Sequence, residues 1–192
     1  MNDDPGWRPA FAKPHLLVLF WLAPALLLQS RMDGLARVRA IFFTSVLSLV
    51  GIYAITTLLL SGEDEASRQV PLWSTIVAAA GVASLVIIHT FRKRVLRGSE
   101  SSEIGAAYVT WFFLGYALAL APGLIGFVST FTTDSFIPLN IGFGCAALGL
   151  VFIAPTRKEM QRWQSEMQAK GIQGSFVRAV IDAPAPRGRN GK

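Results

Sequence analysis

Four stretches of this chain, 40–62, 69–91, 104–133 and 135–156, contain no Asp, Glu, Lys or Arg. The shortest is 22 residues, and about 20 apolar residues of helix cross a hydrocarbon core of about 30 Å. The composition agrees: 52% of residues are hydrophobic and 16% charged, where a soluble domain averages about 25% charged. A soluble globular domain and a disordered chain are both excluded. The expected fold class is all-α, a polytopic membrane protein with four main spans.

The net charge of +6 is a topology signal. Basic residues cluster at Arg31, Arg37 and Arg39, at Arg92, Lys93, Arg94 and Arg97, and at Arg157, Lys158 and Arg162. Short loops retain Lys and Arg on the cytoplasmic side, so all three clusters lie inside only if a pair of spans separates each from the next. The remaining loops agree: 62–68 carries Glu63, Asp64 and Glu65 against Arg68, and the turn at 134–135 carries Asp134. The chain then runs out at 40–61, back at 70–91, out at 104–130 and back at 136–154. This predicts two tandem transmembrane hairpins, 39–98 and 103–156, with their feet in the cytoplasm of a bacterial cell and the spans in its plasma (inner) membrane. Basic feet also favour anionic lipid head groups. No aromatic-basic platform or docking motif supports nucleic-acid binding.

Residues 1–13 read as a disordered tail. Residues 14–30 are apolar but short, with Pro24 inside and Arg8 and Lys13 before them. They are expected to form an interfacial or partly inserted helix, rather than a full span that would place the N-terminus outside. A cleaved signal peptide is disfavoured because no small-x-small site follows Leu28.

The hairpins repeat one another. Leu85-Val86-Ile87-Ile88-His89-Thr90-Phe91-Arg92-Lys93 aligns with Leu150-Val151-Phe152-Ile153-Ala154-Pro155-Thr156-Arg157-Lys158, five of nine positions being identical at a spacing of 65. Pro71 and Pro138 stand at corresponding helix starts. A duplication of this kind gives parallel repeats, unlike the inverted repeats of many transporters. Small residues recur on single helix faces: Gly115, Ala119, Gly123 and Gly126; Gly142, Ala146 and Gly149; and Ala79, Ala80, Ala83 and Ser84. In lipid, such stripes let helix backbones approach. Packing within the four-helix unit is the expected use, with self-association through one stripe as the alternative. Pro122 removes a backbone hydrogen bond in the third span and predicts a kink there.

Paired hairpins with Gly/Ala stripes resemble the proteolipid (subunit c or K) architecture of rotary ATPases. The segment Ala119-Leu120-Ala121-Pro122-Gly123-Leu124-Ile125-Gly126 is similar to an Ala-Glu-Ala-Pro-x-Leu-x-Gly pattern of small bacterial proteolipid-like membrane proteins, and Pro155-Thr156-Arg157 matches their usual ending. The resemblance covers about 40–163. Leu120 stands where it would place the acid. A proton-carrying ring needs a mid-membrane carboxylate, so ion translocation does not carry over.

Intramembrane ionisable groups are the first functional signal in a membrane protein. His89 is the one candidate in the main spans, three residues from Arg92, and reads as interfacial; His15 reads likewise. Two histidines and Cys145 cannot close a four-ligand zinc site, and Cys145 reads as a small packing residue. The hydroxyls of Thr44, Ser45, Ser48, Thr56, Thr57, Ser74, Thr75, Ser84 and Thr110 are scattered, able to bond back to their own helices. No nucleophile–base set and no phosphate-cradling glycine loop occurs, so no catalytic, cofactor-binding or metal residue is assigned and no enzyme or cofactor is expected. Aromatic residues at span ends, such as Trp73 and Trp111, read as interfacial anchors.

Beyond Pro155, Thr156-Arg157-Lys158-Glu159 is a capping box. It predicts an amphipathic helix over 157–171, closed by Gly171 and supported by a Glu166–Lys170 pair. Met160, Trp163 and Met167 share one face, expected to lie on the membrane surface in preference to a partner. Residues 172–192 read as a flexible basic tail. The functional expectation is a non-enzymatic accessory, scaffold or interaction subunit, self-associating or bound to a membrane protein partner. The alternative is a homo-oligomeric channel or transport protein for a small solute or ion.

Overall fold

The structure, a computed structural model, describes residues 4–11, 33–59, 70–96, 98 and 100–183. The expected helix at 14–30, the acidic loop at 62–68 and the end of the basic tail lie outside these residues. The described residues are helical, with no strand among them: α1 (Arg8–Phe11), α2 (Gly34–Leu59), α3 (Val70–Val95), α4 (Ser101–Thr133), α5 (Ile137–Ile153), α6 (Arg157–Ala169) and α7 (Phe176–Ile181). Three of these, α2, α3 and α4, are long and apolar enough to cross a membrane. The number rises to four if α5, only 17 residues, is counted with α6 as one broken span.

The helices overrun the charge-free stretches. Helix α2 begins at Gly34, before Arg37 and Arg39, and α3 continues through Arg92, Lys93 and Arg94. Arginine and lysine are good helix formers, so a charged foot is no reason for a helix to end. The first hairpin therefore starts before residue 39. Helix α4 runs its 33 residues through Pro122 as one element. At Pro155, by contrast, the chain breaks, because a proline disfavours helix in the residue before it; the repeat-equivalent Thr90 sits inside a continuous helix.

The chain divides into two compact units: residues 1–44, 92–112 and 154–192, and residues 45–91 and 113–153.

In the second unit the small-residue stripes meet each other. A Cβ placed on Gly149 would lie 2.8 Å from the Ala119 Cβ, one on Gly123 3.3 Å from the Ala146 Cβ, and one on Gly126 2.5 Å from the Pro138 carbonyl. A Cβ on Gly142 would strike the Pro122 carbonyl. Gly81 leaves the same kind of space for Cys145 Sγ, 2.5 Å from its would-be Cβ. Large apolar side chains point outward, including Val50, Leu58, Val82, Leu124, Val128 and Val151, each more than half exposed. Apolar surface on this scale is tolerated where the solvent is lipid rather than water. Asp134, in the turn before α5, is the only charged residue among the described residues of this unit.

The first unit is packed by large side chains. Helix α6 starts as the capping box requires, Thr156 Oγ1 accepting from Glu159 N at 3.2 Å. It ends in a Schellman motif, with Ile172 N donating to Met167 O, Gly171 N to Gln168 O, and Gly171 at φ +74°. Met160, Trp163 and Met167 are buried, but in protein. Trp163 stacks on Phe176 at 5.7 Å and meets Tyr108 and Trp111 edge-on. The expected docking of this face on the membrane surface is thus corrected: neighbouring aromatic rings of the same chain cover it. The expected flexible tail at 172–192 is corrected as far as residue 183. Phe176 and Val180 on α7 are fully buried, and the helix sits against two glycines, since a Cβ at Gly34 would strike the Val180 carbonyl and one at Gly105 the Ala179 carbonyl.

Candidate functional site

The polar chemistry of the first unit is organised by Arg39. Its position in the first turns of α2 points the guanidinium inward, and its side chain is 0% exposed. A buried cation is stable only when paired and hydrogen-bonded. The partners come from far away in sequence. Asp4 binds it through both oxygens, Nη1 to Oδ1 at 2.6 Å and Nη2 to Oδ2 at 2.7 Å. The Gly6 carbonyl accepts from Nη1 at 2.5 Å and the Pro155 carbonyl from Nε at 3.3 Å. The Trp7 ring lies 5.4 Å from the guanidinium carbon. The expected disordered tail at 1–13 is therefore corrected for residues 4–11: an ion pair and aromatic contacts of Trp7 and Phe11 with Phe42 and Phe43 hold them. Locally the segment turns because Gly6, at φ +75°, lets its N–H reach back to Asp4 Oδ1 at 2.9 Å. The hydrogen bonds from Arg39 hold the Asp4 carboxyl below its ordinary value of 3.8.

Arg157, the first residue of α6, stands on the other side of Asp4, its Nε 4.0 Å from Oδ2, with a side chain 58% exposed. From there a groove of about 550 Å³ runs along α6, lined among others by Asp4, Arg157, Gln161, Gln164, Ser165 and Gln168, and closed by Gly174, Ser175 and Val177. Gln164 fixes one wall. Its Nε2 donates to the Gly174 carbonyl at 3.0 Å and its Oε1 accepts from Phe176 N at 2.6 Å. Gln161 and Gln168 are exposed, and their side-chain carboxamides have no hydrogen-bond partner among the described residues.

On the other side of α6 the charges are taken up within the chain. Arg92 meets Glu159 at 2.8 Å and Glu166 at 3.2 Å and lies 4.8 Å from the Trp163 ring centre. Arg162 also pairs with Glu166, and Lys170 Nζ donates to the Leu96 carbonyl at 2.8 Å. The expected Glu166–Lys170 pair is replaced by these contacts, because Arg92 on α3 supplies a cation for the one and Leu96, just past the end of α3, a carbonyl for the other. Glu159 likewise turns to Arg92, leaving the capping box half formed. Arg92 and Arg157, which stand at aligned positions of the sequence, differ in use: Arg92, partly buried, braces α6, and Arg157 lines an open groove.

His89 is exposed on α3 and touches none of this; His15 is outside the described residues. Cys145 is half-buried against Gly81. Among the described residues no group of His, Cys, Asp and Glu could hold a metal ion. In the second unit four buried hydroxyls bond back to their own helices, Thr56 to the Ile52 carbonyl, Ser129 to Ile125, Thr130 to Gly126 and Thr133 to Ser129. Ser74 Oγ is buried without a partner among the described residues. The Tyr53 hydroxyl joins two helices there, Oη donating to Asn140 Oδ1 at 2.9 Å.

Asp4, Asn140 and the groove carboxamides escape the sequence reading. The Asp4-Pro5-Gly6 turn is visible in sequence, but nothing in the chain points it at Arg39. The Gln spacing on α6 is visible too, yet identical to that of a solvated face. Matching the chain against protein-family models, curated proteins and solved structures finds nothing similar.

Proposed function

We propose that this protein is a non-enzymatic interaction or accessory subunit of a bacterial plasma membrane, two helical hairpins anchoring a cytoplasmic face. One partition supports the reading. The second unit, apart from Asp134, is free of charge among its described residues and turns the hydroxyls of Thr56, Ser129, Thr130 and Thr133 back onto their own helices, while the first unit carries the ionic network and an open groove with unpaired carboxamides. The outer apolar side chains then face lipid, and the basic feet lie beside anionic head groups. Proteolipid-like hairpins serve packing in this reading, with Leu120 in place of an ion-carrying acid. A homo-oligomeric channel draws less support. The small cavity near Ser45, Ser48 and Leu120 holds about 50 Å³, room for a water or two.

The test is the native mass of the protein transferred gently into nanodiscs, with each co-purifying species identified. A reproducible membrane protein partner at fixed stoichiometry is expected. A monomer with no partner defeats the reading, and a closed homo-oligomer that passes ions in a liposome flux assay replaces it with the channel.

A further inference from the structure

The groove along α6 carries a chemistry that suits one class of occupant. Its charge is unbalanced. Asp4, 5% exposed, is engaged through both oxygens by Arg39, so two guanidinium groups, Arg39 and Arg157, stand against one carboxylate at this end and one positive charge is left over. That charge belongs to Arg157, the more exposed of the two. The wall beyond it offers the side-chain carboxamides of Gln161 and Gln168, unpaired among the described residues. Seven residues of helix separate them by about 10 Å along the axis, and three residues of extended peptide cover about 10 Å. A carboxamide presents one acceptor and two donors, the complement of a peptide group. A phosphate, which only accepts, would use half of each. The Gln164 bonds to Gly174 and Phe176 keep the opposite wall in place before anything binds, which lowers the ordering cost of association. A groove of about 550 Å³ also falls within the range of about 300–1,000 Å³ typical of binding sites.

We infer that this groove binds an extended acidic peptide segment of a partner protein, Arg157 pairing with an acidic side chain and Gln161 and Gln168 bonding its backbone. The inference rests on the interaction-subunit reading and names the partner's chemistry. Arg157 is suited to the role because a guanidinium pairs with a carboxylate through two parallel hydrogen bonds.

The experiment uses the full chain in nanodiscs of zwitterionic lipid and a fluorescent, end-blocked heptapeptide alternating Glu and Val, read by anisotropy. Its counterpart has Lys for each Glu. Saturable binding of the Glu peptide is expected, with binding of the Lys peptide about tenfold weaker or worse. Arg157→Gln should weaken the Glu peptide about tenfold, the scale of a lost charge-assisted bond. Arg157 also borders Gly6 and Asp4, so a second variant leaves that region alone: Gln161→Ala with Gln168→Ala, both exposed, should weaken it about fivefold. Failure of the Glu peptide to bind, or binding unchanged in the double variant, overturns the inference. Displacement by inorganic phosphate as effective as by unlabelled peptide also overturns it, because the site would then recognise charge alone, as in a lipid head group. A co-purifying partner retained by both variants would sink the groove while leaving the interaction reading intact. Loss of every partner from the wild type would sink that reading instead.

Discussion

Arg39 and Gly142 are both buried on apolar helices, and they hold their surroundings by opposite means. Around Arg39 the chain supplies bulk and charge: a carboxylate, two carbonyls and an indole converge on one side chain. Around Gly142 it supplies nothing at all, and the Pro122 carbonyl moves into the space a side chain would fill. In the first unit specificity comes from groups that must find partners, since an unpaired buried charge is costly. In the second it comes from close packing, the main attraction left between helices when the solvent is as apolar as they are. The division is not complete. Gly34 and Gly105 in the first unit also make way for α7, and Tyr53 and Asn140 put one hydrogen bond into the second.

The contrast is broken most severely at Trp163. It is fully buried among Tyr108, Trp111 and Phe176, and Trp163→Ala should cost about 4 kcal/mol. Hydrogen exchange should show lost protection in α6 and α7, while the residues of α5 keep theirs. Equal loss in α5 would mean that the two units unfold together.

Next comes the Asp4–Arg39 pair. Asp4→Asn leaves a buried guanidinium without its counter-charge and should cost about 3 kcal/mol, read as faster exchange over residues 4–11. The pair also predicts a pH dependence. The folded carboxyl lies below its ordinary 3.8, so the stabilisation is fully present above that value and is lost as pH falls through the lower folded one. Protection over 4–11, taken relative to the intrinsic exchange rate at each pH, should hold constant from neutral pH down to about 4 and fall below it. The Asn variant should show no such transition.

In the second unit Gly142→Val should lower stability by about 2 kcal/mol through overpacking. The obstruction is a backbone carbonyl rather than a flexible side chain, so no rotamer change relieves it. Thermal unfolding in nanodiscs reads the effect, and an unchanged midpoint would show that α4 and α5 do not pack through these stripes. The smallest effect is expected for Tyr53→Phe, which removes a hydrogen bond between helices in this unit. Such bonds average about 0.6 kcal/mol in membranes, and a shift as large as that of Gly142→Val would overturn the view that packing, not polarity, holds the unit together.

Much of this was legible along the chain. Long charge-free runs call for helices in lipid whatever their order. The stripes at Gly115–Gly126 and Gly142–Gly149 announce close packing because a helix places residues four apart on one face. The capping signals at Thr156 and Gly171 are local, and both are realised. What was not legible depends on partners distant in sequence. Arg39 is 35 residues from Asp4 and 116 from Pro155, and no local pattern says which acid a basic foot will find.

The same reason governs the C-terminal region. The sequence by itself determined that 157–170 is an amphipathic helix, since propensity, caps and periodicity are properties of neighbours in the chain. Only the tertiary structure decided what its apolar face meets. A stripe of Met160, Trp163 and Met167 would be equally satisfied by a bilayer, a partner or its own protein, because apolar burial has no direction of its own. The rings of Tyr108, Trp111 and Phe176, brought in from two other segments, made that choice, and in making it left the carboxamide face of α6 open.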